Sequence, residues 1–462
     1  MEKIINRYNY SWLFLLCATL MTASCRKEAL LNAKPSTSLV IPSSIQDFQA
    51  ILDATLTMNV TPSLGEASAD NYYLTDTKFQ SAQPVVQNTY LWAKDIFGAS
   101  TNIDDWNYPY EQVFNANVVL EGLAKMQATA SNQQDINTLT GYALFYRAYA
   151  FFNVAQVFAP PYDSTTASSD LGIPLRLSSD ITAPSIRATV KDTYAQIIDD
   201  LNRACKLTPT ALPTANRNRP SRPAVYACLA RVYQSMRAYK EAGAAADSAL
   251  QLYSSLIDYN TVAVATLPFK NNNAETIFQS NFSSYAQTLI PVIGIAIIDS
   301  NLYRSYAAND LRLSLYFRVV SGVPGPRGGY SGSLFTFSGL ATDELYLIRA
   351  ESYARAGQAS LAMADLNTLL SKRFTTGTFI PYTATDAADA LQQILAERRK
   401  ELELRGGLRW MDLRRLNKEG YNITLTRVVN GQTYTLPPNS PLYTLPIPPD
   451  VITLSGITQN AR

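Results

Sequence analysis

Two glutamates stand four residues apart near the C-terminus, at the spacing that places both side chains on one face of a helix. Glu397 and Glu401 lie in the stretch LQQILAERRKELELRGGLRWMDLRRL, residues 391–416. Paired carboxylates can act as general acid and base in glycoside hydrolysis. Arginines crowd the same stretch, however, and Glu and Arg neighbours on a helix more commonly form ion pairs. We therefore interpret the pair as structural and predict no catalytic residue.

The absence of histidine narrows the possible chemistry further. None of the 462 residues is His, which excludes Ser-His-Asp and Cys-His catalysis and zinc sites built on His. The sequence has no D-x-[DN]-x-[DN]-G calcium loop, and the glycine-rich segment 321–332 lacks the G-K-[ST] of a phosphate-binding loop. We interpret that segment as a surface loop, and we predict neither a metal nor a cofactor.

The composition favours an uncharged ligand. Charged residues are only 16% of the chain and the formal net charge is +2, so nothing indicates a nucleic-acid partner. The chain has 28 tyrosines, and aromatic faces beside neutral hydrogen-bonding groups suit sugar rings and peptides.

Aromatic and polar residues accumulate in the non-periodic segment 57–105, which makes it the first candidate binding region. We predict that aromatic side chains there stack on the ligand and that polar ones bind its hydroxyls. The candidates are Asp70, Asn71, Tyr72, Tyr73, Asn88 and Trp92, with Tyr330 of the glycine-rich segment as a more distant one. The alternative is that Trp92 and Tyr90 only pack this segment against the helices.

The N-terminus has the features of an export signal followed by a lipid anchor. Basic Lys3 and Arg7 precede an apolar run that is too short to span a bilayer. Small residues then lead to Cys25, as in the lipobox of a lipoprotein. We predict a signal peptide at 1–24, a lipid-anchored tether at 25–44 and a single domain at 45–462; the alternative is an ordinary signal with an incidental cysteine.

Helical repeats are the elements that must position any site. A pattern of small residues where two helices touch, with a period of about 34 residues, is typical of tetratricopeptide repeats. It fits residues 224–250, residues 343–370 and a split copy built from 144–151 and 194–209. We predict a mainly α fold, a tetratricopeptide-like superhelix with an irregular, loop-rich ligand-binding lobe and minor β-hairpins, one of them about Asn430-Gly431. The repeat helices are expected at about 106–158, 188–252, 343–372 and 386–416, and the lobe at about 57–105 and 252–341.

Cys205 and Cys228 fall within helical patterns, so we expect two buried free thiols.

Three motifs resemble the SusD/RagB family of outer-membrane nutrient-binding lipoproteins. They are ERRKEL with RWMDLRR (397–415), PPYD with LGIPL (160–175), and PIP with QN near the C-terminus (446–460). The resemblance implies a non-enzymatic protein on the cell surface. Such a protein captures an oligosaccharide or peptide and passes it to a SusC-like TonB-dependent transporter, which docks on the repeats. Binding residues vary within this family, so none is transferred. The alternatives are a glycan- or peptide-processing enzyme and a repeat scaffold that binds only its partner protein.

Overall fold

Paired helices form the framework of the molecule. The computed structural model describes residues 42–215, 217–290 and 295–462, and Ile45–Arg462 forms one compact unit. The predicted signal peptide, Cys25 and all but the last three residues of the predicted tether lie outside the described residues. The helices are α1 (Ile45–Leu52), α2 (Thr55–Met58), α3 (Leu64–Ser68), α4 (Asp76–Ser81), α5 (Pro84–Tyr90), α6 (Asp104–Lys125), α7 (Gln133–Phe158), α8 (Val190–Leu207), α9 (Arg222–Ser235), α10 (Tyr239–Leu252), α11 (Ser300–Arg304), α12 (Arg312–Tyr316), α13 (Thr342–Arg355), α14 (Ala359–Leu370), α15 (Ala387–Glu401), α16 (Leu408–Asn417) and α17 (Pro449–Ser455).

Short strands form local hairpins and, in three pairs, join segments that are distant in sequence. Within the described ranges the strands form six two-stranded ladders. The strands are β1 (Val60–Thr61), β2 (Tyr72–Tyr73), β3 (Leu171–Pro174), β4 (Arg187–Thr189), β5 (Thr276–Phe278), β6 (Asn281–Phe282), β7 (Ile297–Ile298), β8 (Phe317–Val320), β9 (Val323–Pro326), β10 (Leu340–Ala341), β11 (Leu425–Val429) and β12 (Gln432–Leu436). β1 pairs with β6 in parallel, and the pairs β2–β7, β3–β4, β5–β10, β8–β9 and β11–β12 are antiparallel.

Small residues explain how closely the repeat helices approach. Ala230 of α9 and Ala246 of α10 are fully buried where the two helices pack. A Cβ on Gly243 of α10 would lie 2.1 Å from Oγ of Ser352 on α13, so this contact needs a residue without a side chain. The predicted mainly helical, tetratricopeptide-like fold is confirmed.

A second core of aromatic residues fills the lobe, apart from the large core of the repeats. Its buried members include Tyr72, Tyr259, Phe269, Tyr316 and Tyr330. The first lobe segment is more ordered than we expected, because α2 to α5 lie in or beside it. The interpretation of residues 321–332 as a surface loop was wrong in part, because β8 and β9 form a hairpin and Tyr330 is buried.

Two further sequence expectations have definite outcomes. β11 and β12 form the predicted hairpin, with Val429 opposite Gln432 and positive φ angles at Asn430 and Gly431. Cys205 and Cys228 are both unpaired, but only Cys228 is fully buried, which raises the pKa of its thiol to about 12. Across the described ranges, no helix has both the length and the apolar character needed to cross a membrane.

Candidate functional site

Glu397 and Glu401 form buried ion pairs. Nη2 of Arg312 lies 2.8 Å from Oε2 of Glu397, and Nη1 lies 3.0 Å from Oε2 of Glu401. Nε of Arg373 is 2.7 Å from the other oxygen of Glu401. Burial alone would raise the pKa of Glu401, but Arg373 and Arg312 outweigh it and lower the pKa below its ordinary value. The carboxylate therefore stays charged, and the ion-pair interpretation is confirmed.

Three of the predicted ligand-binding residues, Asp70, Asn71 and Tyr72, form hydrogen bonds or ion pairs within the protein. Asp70 accepts two hydrogen bonds from Arg409, at 2.6 and 2.9 Å. Asn71 is buried and donates to Glu66 at 3.3 Å, and buried Tyr72 donates its hydroxyl to the carbonyl of Ala67 at 2.9 Å. These contacts favour a structural role.

The structure brings Trp92 and Tyr72 together around a third side chain. The Arg427 guanidinium lies 5.4 Å from the Tyr72 ring centroid, 5.5 Å from Trp92 and 4.2 Å from Tyr90. Trp92 is 3% exposed, and its Nε1 donates to the carbonyl of Ser68 at 3.0 Å. This arrangement agrees with the packing alternative stated for Trp92 and Tyr90.

The remaining three candidates, Asn88, Tyr330 and Tyr73, have other contacts. Asn88 is partly buried and donates to the carbonyl of Ile96 at 3.0 Å. Tyr330 borders a small cavity of about 40 Å³ and donates to Glu275 at 2.6 Å. Tyr73 has an exposed side chain, at 38%. The ligand contacts predicted for these residues stay predictions.

A cleft of about 780 Å³ opens on another part of the lobe. The parallel pairing of β1 with β6 forms one wall, because Val60 lies opposite Asn281. The amide of Phe282 donates to the carbonyl of Thr336 at 3.0 Å, which brings residues 331–336 to a second wall. The first turn of α6 contributes Asp104 and Tyr108.

Asp105, next to Asp104, holds the base of this cleft in place. Its Oδ2 accepts hydrogen bonds from the backbone amides of Ser63 at 2.9 Å and Leu64 at 2.7 Å, and its Oδ1 accepts one from the hydroxyl of Ser283. Complete burial raises the pKa of Asp105 to about 7, against the effect of these hydrogen bonds. The carboxyl links the segment before α3, the start of α6 and the segment after β6.

Most of the residues that line the cleft carry an amide or a hydroxyl group. The lining amides are Asn59, Asn218, Asn271, Gln279, Asn281 and Gln287. Phe335 stands in the wall with 61% of its side chain exposed, and Tyr108 is partly exposed. Among the described residues that line the cleft, Asp104 is the only charged one. A mostly neutral, concave surface with an exposed aromatic face can bind an uncharged polar ligand.

Comparison with known proteins shows what the chain is similar to. Residues 30–234 match the SusD-like family model described as "Starch-binding associating with outer membrane". This part of the chain is therefore similar to SusD-like proteins. A search of curated proteins gave no significant match.

Solved structures share this SusD-like fold over nearly their whole length. A SusD superfamily protein from Bacteroides thetaiotaomicron has a TM-score of 0.73 and 21% identity, covering 91% of this chain and 100% of its own. A putative sugar binding protein from Bacteroides vulgatus has a TM-score of 0.71 and 20% identity, covering 90% and 98%. A laminarin binding SusD-like protein has a TM-score of 0.63 and 18% identity, covering 89% and 97%.

The cleft uses residues that sequence reasoning did not select. Its walls come from both predicted lobe segments, but they contain none of the seven named candidates. Two local signals could have indicated it: the run Asn271-Asn272-Asn273 and the apolar Leu334-Phe335 within a polar loop. Sequence reasoning favoured Trp92 and the tyrosines because it could not distinguish buried aromatic residues from exposed ones.

Proposed function

We propose that this protein is an outer-membrane lipoprotein that binds an extracellular oligosaccharide in the amide-lined cleft and delivers it to a SusC-like TonB-dependent transporter. The observation that carries the proposal is the cleft itself, a neutral surface of amides and hydroxyls beside an exposed Phe335. The match to a family model described as starch-binding and the likeness to a laminarin-binding structural relative support a glycan as the ligand.

The chemistry of the cleft fits a sugar in two ways. The apolar face of a pyranose ring packs on an aromatic ring, and Phe335 has most of its side chain available for that contact. The carboxamide of Asn or Gln offers both a donor and an acceptor, so it can bind a hydroxyl group in either sense. A shaped aromatic and amide surface therefore supplies affinity without charge.

The same cleft favours binding over hydrolysis. Glycoside hydrolysis generally requires two carboxyl groups on opposite sides of the bond, roughly 5 to 10 Å apart. Asp104 is the single acidic side chain among the described lining residues, and its Oδ2 accepts a hydrogen bond from the hydroxyl of Ser284. We infer a capture protein that leaves its ligand intact.

Membrane attachment and delivery complete the proposal. Acylation of Cys25 anchors the mature protein to the outer membrane on its outer face, and the tether spaces the domain from the lipid. The transporter docks on the repeat helices. The bound protein then moves on the transporter, and this movement releases the ligand into the transporter.

Calorimetry on the purified mature lipoprotein tests the binding step with neutral oligosaccharides and peptides. Removing the stacking face in Phe335→Ala is expected to weaken oligosaccharide binding by about tenfold, which corresponds to about 1.4 kcal/mol. Phe114→Ala is the matched control, because Phe114 is 41% exposed on α6 and does not line the cleft. Failure of every oligosaccharide to bind, or equal losses in both variants, would refute the assigned site.

Membrane fractionation and affinity purification test the anchor and the partner. Cys25→Ala is expected to move the protein from the membrane to the soluble fraction, and the tagged wild type is expected to retain a TonB-dependent transporter. A Cys25→Ala protein that stays with the membrane would contradict the anchor.

A further inference from the structure

Two amide oxygens in the cleft wall lack hydrogen-bond partners. Asn59 is 2% exposed and Gln279 is 3% exposed, and both residues line the cleft. Neither Oδ1 of Asn59 nor Oε1 of Gln279 has a hydrogen-bond partner among the described residues. Buried polar groups in folded proteins are almost always paired, so two orphaned acceptors in one cleft need an explanation.

The hydrogen-bond network fixes which end of the Asn59 amide is the acceptor. Its Nδ2 donates to the carbonyl of Asn218 at 3.1 Å and to the carbonyl of Gln279 at 3.0 Å. Turning the amide over would place an oxygen against these two carbonyl oxygens, which cannot donate. The unpaired atom is therefore an acceptor.

Gln279 is held much less firmly. Its Nε2 makes one hydrogen bond, 3.3 Å long, to Oδ1 of Asn281, which also lines the cleft. Rotation about the last torsion of a glutamine side chain is soft. The side chain can therefore turn its carbonyl toward a ligand at little cost, whereas the Asn59 amide keeps its place beside it.

An unpaired amide oxygen favours a ligand group that can donate a hydrogen bond to it. A sugar hydroxyl can donate to an amide oxygen, but a carboxylate or sulfate that takes the place of that hydroxyl has no proton to donate at neutral pH. Asp104 adds a negative charge to the same wall, which further disfavours an anionic ligand. The amide acceptor and the charge of Asp104 therefore both favour a neutral ligand.

We propose that Gln279 forms a subsite that accepts a hydrogen bond from a hydroxyl group of a neutral sugar unit, so that the protein selects neutral glycans over uronate-containing or sulfated ones. This inference rests on the proposed function, since it specifies the ligand class of the same cleft. Gln279 turns its side-chain carbonyl toward the ligand on binding, while Nδ2 of Asn59 keeps its hydrogen bond to the backbone carbonyl of Gln279.

Matched neutral and acidic glycans test the selectivity on the full mature protein. The probes are malto-, laminari-, cello- and mannohexaose, with oligomannuronate of the same length as the anionic member. Mannohexaose and oligomannuronate differ at carbon 6, where the acid carries a carboxylate. The neutral hexaose that binds most tightly is expected to bind at least about 30-fold more tightly than oligomannuronate. Equal affinity for both would overturn the selectivity.

Gln279→Met tests the subsite, because methionine preserves length and volume but cannot accept the hydroxyl proton. It is expected to weaken binding of the preferred hexaose by about tenfold. Gln358→Met, the same change at an exposed residue between α13 and α14, is the control and is expected to change nothing. Circular dichroism confirms that each variant is folded.

A second measurement needs no variant. Deoxy or O-methyl analogues of the preferred hexaose, titrated into the wild type, should include one position at which loss of the hydroxyl proton costs at least about tenfold in affinity. If the hexaose binds and Phe335→Ala weakens it, but neither Gln279→Met nor any analogue does, the subsite is refuted and the proposed function stands. If no glycan binds, both are refuted.

Discussion

Replacing Arg312 with methionine should cost more stability than any surface charge change in this protein. The Arg312 side chain is completely buried and contacts Asp310 at 2.7 Å, Glu397 at 2.8 Å and Glu401 at 3.0 Å. Methionine fills much of the same space, so the change mainly removes the charge and the donors. Three carboxylates then lose a shared partner.

The expected loss follows from which carboxylates keep another cation. Glu401 retains Arg373 at 2.7 Å, and Glu397 retains Lys400 at 2.7 Å. Asp310 keeps only Lys400, at 3.7 Å. Removing one member of a buried ion pair typically lowers the free energy of unfolding by about 3 to 5 kcal/mol. We expect a loss of about 4 kcal/mol for Arg312→Met.

The loss should also depend on pH. In the variant, burial without Arg312 raises the pKa values of the orphaned carboxyls, so protonation relieves the penalty. Each such group contributes stability at low pH that is lost as the pH rises through its folded pKa. The difference between wild type and variant should therefore be larger at about pH 8 than at about pH 5.

Urea unfolding followed by circular dichroism measures this difference. Arg203→Met is the control, because Arg203 and Asp199 are 3.4 Å apart and both are more than half exposed. Buried Asp200, 3.9 Å from Arg203, keeps its closer partner Arg147 at 2.7 Å. The control should lose less than about 1 kcal/mol. If the free energy of unfolding of Arg312→Met were within about 1 kcal/mol of the wild-type value at neutral pH, the ion pairs would not be what holds α12 to α15.

Three further predictions concern packing and burial. Trp92→Ala should lower the free energy of unfolding in urea by about 3 to 5 kcal/mol. The glycan affinity of the folded protein, measured by calorimetry, should stay unchanged. A loss of affinity without a loss of stability would instead support Trp92 as a ligand contact. Gly122→Ala places a Cβ 2.2 Å from Cζ of Phe48 and should lower the free energy of unfolding by about 1 to 3 kcal/mol. Gly329→Ala is the control, because a Cβ there has nothing within 4 Å. Equal melting temperatures for the two variants would contradict the prediction. Burial raises the pKa of Glu66 from 4.5 to about 8, so this group's contribution to stability falls as the pH rises across that interval. Glu66→Gln should flatten the pH dependence of urea unfolding there, and an unchanged slope would argue against a neutral Glu66.

The helical framework could be predicted because its signals are local. The alanines of the repeat at 224–250 recur at helical spacing, and they lie buried between α9 and α10. The hairpin about Asn430-Gly431 is equally local, since these two residues tolerate the positive φ angles that the turn requires. The ion pairing of Glu397 and Glu401 could also be predicted, but its main partner, Arg312, could not, because 85 residues separate Arg312 from Glu397.

The sequence by itself determined the repeat helices, the hairpin and the resemblance to a family of nutrient-binding lipoproteins, since spacing and short motifs encode them. Only the tertiary structure decided which aromatic residues are exposed in the cleft. Trp92 and Tyr72 surround Arg427 in the core, whereas Phe335 stands exposed in the cleft. The cleft joins Asn59 to Gln279 across 220 residues. Such contacts depend on how the lobe packs, because burial is a property of the folded surface and no local pattern records it.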